Sequence, residues 1–145
     1  METNPQRPKV VVGVDGSPES DAALRVAYEE ARARQAELVV VHAWAFRPLG
    51  PSGDDRGQAE DELAASVERL RQAAEPEVPV VEKLVGGDPR QALMHEAADA
   101  ALLVVGSRGL GRVSAVVLGS VSRYLLHHAP CPVEIVPPLE RVGAP

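Results

Sequence analysis

Leu102-Leu-Val-Val-Gly-Ser-Arg-Gly109, continued through Leu110 to Gly119-Ser-Val-Ser122, decides the fold of this chain. The apolar run Leu102 to Val105 is short and bounded by glycine, the pattern of a strand buried on both faces. It breaks at Gly106. Gly109 and Gly111 keep the following backbone unconstrained, and Gly119-Ser120 opens a helix-like apolar run, Val121 to His127. The glycines are spaced Gly106, two residues, Gly109, nine residues, Gly119-Ser120. Glycine lets a backbone approach an anion closely, and the N–H groups at a helix N-terminus favour phosphate.

Charge supports that reading. The net charge is −6, yet no Asp or Glu occurs between Asp99 and Glu134, and Arg108, Arg112 and Arg123 lie inside that window. An acid-free, Arg-bearing segment in an acidic protein points to a site for a small anion. Glycines that merely make turns beside a buried helix leave a similar pattern, so the spacing alone keeps both readings open.

The spacing G-x-x-G-x9-G-S resembles the nucleotide-binding motif of the universal stress protein family, in its ATP-binding branch. The resemblance runs from Val10-Val-Val-Gly-Val-Asp-Gly-Ser17 to Pro130-Cys-Pro-Val-Glu-Ile-Val136. It implies a three-layer α/β/α fold with a five-stranded parallel sheet in the order 3-2-1-4-5, of the Rossmann-like, adenine nucleotide alpha-hydrolase-like type.

Length and composition agree with a fold of this size. A chain of 145 residues is long enough for one domain with a real core and too short for a nucleotide domain plus a separate catalytic one. The expected division is a domain at 9–137 flanked by tails at 1–8 and 138–145. No apolar run reaches the roughly 20 residues of a membrane span, and Met1-Glu-Thr-Asn-Pro-Gln-Arg-Pro8 has no apolar core of a secretory signal. The expectation is a cytoplasmic protein without a membrane partner. The lone Cys131 allows no internal disulfide and no cysteine cluster for zinc. The acidic balance and scarcity of aromatic residues argue against nucleic-acid binding.

Strands and helices alternate along the chain. Lys9 to Val14 is a β-branched strand ending at Asp15-Gly16. Ser17 reads as N-cap and Pro18 as first residue of a helix, with Glu19 and Asp21 at its positive end. Ala23, Val26, Ala27 and Ala31 mark its sheet-facing side. Glu37 to Ala43 is a second strand. Phe46 to Gly57 is the longest irregular connection, including Asp54-Asp55-Arg56. Gln58 to Ala74 is amphipathic: Leu63, Val67 and Leu70 face inward, and Glu60, Glu62, Glu68, Arg69 and Arg71 face water. Pro79 to Val85 is a third strand, after which Asp88 caps a helix that begins at Pro89 and runs to about Asp99. A helix from Gly119 to about His128 and a strand from Val133 to Val136 complete the pattern. Parallel strands need such crossovers.

In the order 3-2-1-4-5, strands 1 and 4 are neighbours whose connections leave toward opposite faces. Ligands of open α/β sheets bind at such a switch point. The resemblance places Gly13, Val14 and Asp15 along an adenine pocket, with the backbone of Ala43 at the adenine edge. Val105, Gly106 and Gly109 would wrap ribose and phosphates. Gly119, Ser120, Val121 and Ser122 would offer backbone N–H groups and hydroxyls to the phosphates, with Arg108 and Arg112 as cations. Asp15 also reads as a turn residue before Gly16, and Ser120 also as a helix N-cap. The implied ligand is ATP with Mg²⁺ or Mn²⁺.

Other constellations are weak. His127 and His128 diverge by roughly 100° on a helix, so they do not clamp one metal; they suit the negative helix end. His42 and His95 form no metal spacing. The G-x-S-x-G elbow, the G-x-x-x-x-G-K-[ST] loop and the G-x-G-x-x-G fingerprint are all absent from the sequence. The leading function is a nucleotide-dependent stress-response module that acts on an unknown protein partner, with at most slow ATP hydrolysis. The alternatives are a nucleotide phosphohydrolase and a nucleotide-free dimerisation module. The last strand, Val133 to Val136, leaves a sheet edge that invites a homodimer.

Overall fold

The computed structural model describes residues 7–44, 55–74, 77–107 and 118–138. Its sheet consists of β1 (Lys9–Val14), β2 (Glu37–Trp44), β3 (Val80–Gly86), β4 (Leu102–Gly106) and β5 (Val133–Val136). The helices are α1 (Pro18–Arg34), α2 (Asp55–Ala73), α3 (Pro89–Glu96) and α4 (Ser120–His128), and a 3₁₀ turn at Ala97–Asp99 follows α3. All neighbouring strands are parallel, in the order β3-β2-β1-β4-β5. The expected α/β fold and strand order are therefore observed.

The sheet is stable because its central strands are apolar on both faces. Val10 and Val12 of β1, Leu38 and Val40 of β2, and Leu102 and Val104 of β4 pack on one face with Leu24, Ala27 and Tyr28 of α1 and Leu63 and Val67 of α2. Val11, Val39, Val41, Leu103 and Val105 point the other way and pack with Leu93 of α3 and Leu125 of α4. This alternation is the period of two of an extended chain. Each such side chain, once buried, contributes roughly 1.5–3 kcal/mol of transfer free energy.

Local signals set the helix boundaries. The Ser17 hydroxyl accepts from the Ser20 amide, and the Asp88 carboxylate accepts from the Arg90 amide, so both expected caps are in place. The helix expected from Gln58 starts earlier, at Asp55. The helix expected to reach Asp99 ends at Glu96 and tightens into the 3₁₀ turn, whose Ala97 is fully buried. Strand β2 extends to Trp44, because its ladder with β3 continues through the pair Trp44↔Gly86. Val26, expected on the sheet side of α1, is only partly buried; Leu24 and Tyr28 take the inner positions. Of the expected tails, residues 1–6 and 139–145 lie outside the described residues, as does the part of the connection at 46–54.

Glu134 is a polar group set into this frame at the sheet edge. Its Oε1 is buried without a hydrogen-bond partner. Burial, then the neighbouring Glu30 of α1, push its carboxyl above the usual range, and Arg34 opposes them. Two outcomes follow from the packing. Leu103→Ala removes a fully buried side chain and lowers unfolding stability by about 2–5 kcal/mol, read by chemical denaturation. A carboxyl raised in the folded state gives stability that is full below its unfolded value and is lost as pH rises through the folded one. Glu134→Gln therefore stabilises the protein at neutral pH and loses that advantage below the ordinary carboxyl value of 4.5, a difference that thermal unfolding at the two pH values measures.

Candidate functional site

The chain reverses its winding between β1 and β4, so their C-terminal ends diverge and leave a crevice. A cavity of about 320 Å³ occupies it, within the range of small-molecule sites. Strand ends supply Gly13, Val14, Asp15, Ala43, Val105 and Gly106. The first turn of α4 and the residue before it supply Gly119, Ser120, Val121 and Ser122. Every site residue expected from the sequence that falls among the described residues thus lines one cavity. Arg108, Gly109 and Arg112 lie outside the described residues.

Each wall has a local cause. The Asp15 carboxylate accepts from the Ser17 amide at 2.9 Å, and the Asp15 amide donates to the Ser20 hydroxyl at 3.2 Å. Asp15 thus closes the β1–α1 turn, as its reading as a turn residue expects, and it lines the cavity as well. Gly16 completes the turn at φ +83°, a region that side chains disfavour. Gly13 serves a different need. A Cβ there would stand 2.8 Å from Leu93 Cδ1, so its lack of a side chain lets α3 close over the end of β1.

The α4 end of the cavity differs in detail from the sequence reading. Gly119, not Ser120, occupies the N-cap position, and no side chain caps this helix. Ser120 is the first helical residue and is exposed. The Gly119 amide, expected to be open to a phosphate, donates to the Ser107 carbonyl at 2.7 Å. The Ser122 hydroxyl, expected to reach a phosphate, donates to the carbonyls of Ser107 at 3.0 Å and Gly119 at 3.1 Å. These bonds tie the exit of β4 to the start of α4. Among the described residues, no acceptor meets the amides of Ser120, Val121 and Ser122. A helix leaves such first-turn donors unpaired, and the three residues that carry them line the cavity at the positive end of the helix dipole.

Four lining residues escaped the sequence reading: Ser20, Val41, Pro89 and Leu93. Val41 was findable, since it shares a face of β2 with Ala43 two residues on. Pro89 and Leu93 stand one turn apart on α3, and only the crossing of α3 over the sheet brings them to the crevice. Beside them the Arg90 guanidinium lies over the Tyr124 ring at 5.5 Å and joins α3 to α4. Arg90 also pairs with Asp88 at 2.7 Å and holds that carboxyl below its ordinary range.

A further correction concerns Glu62. Expected to face water, it turns inward, and its Oε2 lies 2.9 Å from His42 Nε2. The apolar periodicity of α2 gave no sign of this, because the partner stands on another element. His127 and His128 occupy the last turn of α4, as expected, and His128 Nδ1 lies 2.9 Å from the Tyr124 carbonyl. Among the described residues no group of three or more His, Cys, Asp or Glu is placed to hold a metal. No helix of the described residues is long and apolar enough to cross a membrane.

The likeness to known proteins matches this geometry. The profile of the universal stress protein family matches residues 6–137. A universal stress protein of Mycobacterium tuberculosis is 42% identical over 134 residues, 90% of this chain and 45% of that protein. One from Mycolicibacterium smegmatis is 38% identical, over 89% of this chain and 45% of its own length. The chain thus spans about half the length of these relatives. Among solved structures, a universal stress protein in complex with cAMP superposes with a TM-score of 0.72 at 30% identity, over 92% of this chain and 98% of that one. The universal stress protein of Archaeoglobus fulgidus in complex with dAMP gives 0.67 at 28%, over 90% and 97%. With the family profile covering the whole sheet and its crevice, this chain belongs to the universal stress protein family.

Proposed function

We propose that the crevice binds ATP together with Mg²⁺ or Mn²⁺, and that the chain acts in the cytoplasm as a nucleotide-dependent stress-response module. The observation that carries this reading is the unpaired first turn of α4 opening on a cavity whose other walls are strand ends. Phosphates take the amides of Ser120, Val121 and Ser122. The base lies along Gly13, Val14 and Ala43, and the ribose beside Asp15, Val105 and Gly106. The relatives solved with cAMP and with dAMP support an adenine nucleotide in general. Their ligands also favour a second reading, in which the bound species is an adenosine monophosphate or its cyclic form.

The donor set suits a cation carried by the nucleotide. Asp15 is the sole carboxylate among the described lining residues, and Mg²⁺ is commonly held by one or two carboxylates with phosphates and water. The cation would neutralise phosphate charge; Asp15 would orient one of its waters. Asp15 is also the one candidate base for a water nucleophile, which is why turnover is at most slow. The outer edge at β5 is proposed to pair with a second copy of the chain, which leaves the crevice open to signal to a protein partner.

Denaturing the purified protein and analysing the released nucleotide, beside calorimetric titration with Mg-ATP, tests the reading. ATP recovered or bound supports it; AMP or cyclic AMP bound in preference supports the second reading; no nucleotide by either route removes both. Ser120→Glu places a carboxylate at an exposed first-turn position, where it suits the helix dipole yet repels phosphate. It is expected to weaken ATP binding at least tenfold, about 1.4 kcal/mol, without lowering the melting temperature. Gly13→Ala drives Leu93 toward the cavity, so ATP affinity falls and unfolding stability drops by about 1–3 kcal/mol, both measurable on one preparation.

A further inference from the structure

Behind the cavity wall, His42 is buried with both ring nitrogens engaged. Nδ1 lies 2.9 Å from the Ala43 carbonyl oxygen, and Nε2 lies 2.9 Å from Glu62 Oε2. Glu62 is itself anchored, because its Oε1 accepts from Gln58 Nε2 at 2.9 Å. A carbonyl oxygen only accepts, so Nδ1 carries a hydrogen. Nε2 and the Glu62 carboxyl then share one proton between them, whichever atom holds it. The ring is fixed from both sides.

Ala43 needs such a hold. The Glu37 amide donates to Pro8 on the β1 side of β2, and the Leu38 amide donates to Pro79 on the β3 side. Alternation along a parallel strand therefore turns the odd-numbered residues of β2 toward β1. Ala43 lies one residue past the last β1–β2 pair, Val14↔His42. Its carbonyl has left the ladder with β1, the residue lines the cavity, and the His42 Nδ1–H takes one of the two lone pairs of that carbonyl.

We propose that His42 is a positioning residue for base recognition, fixing the Ala43 peptide so that the second lone pair of its carbonyl selects a purine bearing an amino group at C6. Adenine donates from that position. Hypoxanthine presents a carbonyl there, and two acceptors face each other at a cost. A site built around one hydrogen bond rejects the analogue that lacks it. The inference rests on the nucleotide reading above and adds the residue that sets its selectivity; Glu62 acts through the ring.

Asparagine and glutamine divide the two functions of the ring. The Asn amide nitrogen reaches the place of Nδ1, and the Gln amide nitrogen reaches the place of Nε2. The experiment titrates the full chain and its His42→Asn, His42→Gln and His42→Phe variants with ATP and with inosine triphosphate, and checks folding by circular dichroism. Wild type and His42→Asn are expected to prefer ATP. His42→Gln and His42→Phe are expected to lose about tenfold in ATP affinity, about 1.4 kcal/mol, and to narrow the ratio between the two nucleotides. A Gln variant that keeps the wild-type ratio, or an Asn variant that loses as much as Gln, overturns the inference while leaving ATP binding intact. A wild type that binds neither nucleotide overturns the nucleotide reading and this inference with it. Should the variants fail to fold, nitrogen NMR of the wild-type ring decides: an Nδ1-bound proton whose resonance moves on adding ATP supports the role, and its absence or indifference to bound ATP overturns it.

Discussion

The structure depends on the pairing of β1 with β4. These strands run side by side at the centre of the sheet, Val10 to Val12 against Leu102 to Val104, and their chains then leave to opposite faces. The strands are valine and leucine on both sides, so burial on both faces of the sheet holds them in place. The backbone groups at their C-terminal ends, by contrast, have no further strand to pair with. Burial fixes the sheet, and the same geometry that buries its middle leaves its upper rim polar and open.

The rim is finished by a few short-range bonds. Asp15 spends its carboxylate on the Ser17 amide, and Ser107 spends its carbonyl on the Gly119 amide and the Ser122 hydroxyl. These bonds satisfy the groups that would otherwise be orphaned at each turn. They also aim what remains. With Gly119 tied back to the end of β4, the next three residues of α4 line the cavity, and their amides have no acceptor among the described residues. Leu93 above Gly13 supplies the apolar side, so the crevice combines one hydrophobic wall with one row of donors.

Much of this was readable in the chain. The strand at Leu102, the caps at Ser17 and Asp88 and the paired glycine motifs at the ends of β1 and β4 are local patterns. The reading faltered where a residue's partner stands on another element. Glu62 sits on the polar side of α2 by periodicity, yet its carboxylate meets a histidine twenty positions away in sequence. Ser120 also reads as an N-cap, yet Gly119 holds that position, because a glycine with an extended backbone makes a cap that no side chain announces. The hydroxyl of Ser122, which the resemblance offers to a phosphate, is captured instead by the Ser107 carbonyl, which comes from the end of a different strand.

The sequence by itself determined which segments are strands and helices and, through their caps, where α1 and α3 start. Those properties come from backbone sterics, side-chain period and local capping, and each acts within a few residues. Only the tertiary structure decided which amides of α4 stay unpaired, that Leu93 and Pro89 line the crevice, and that His42 and Glu62 stand behind Ala43. Each of these requires two elements to meet, and the angle at which a helix crosses the sheet is set by the packing of the whole core.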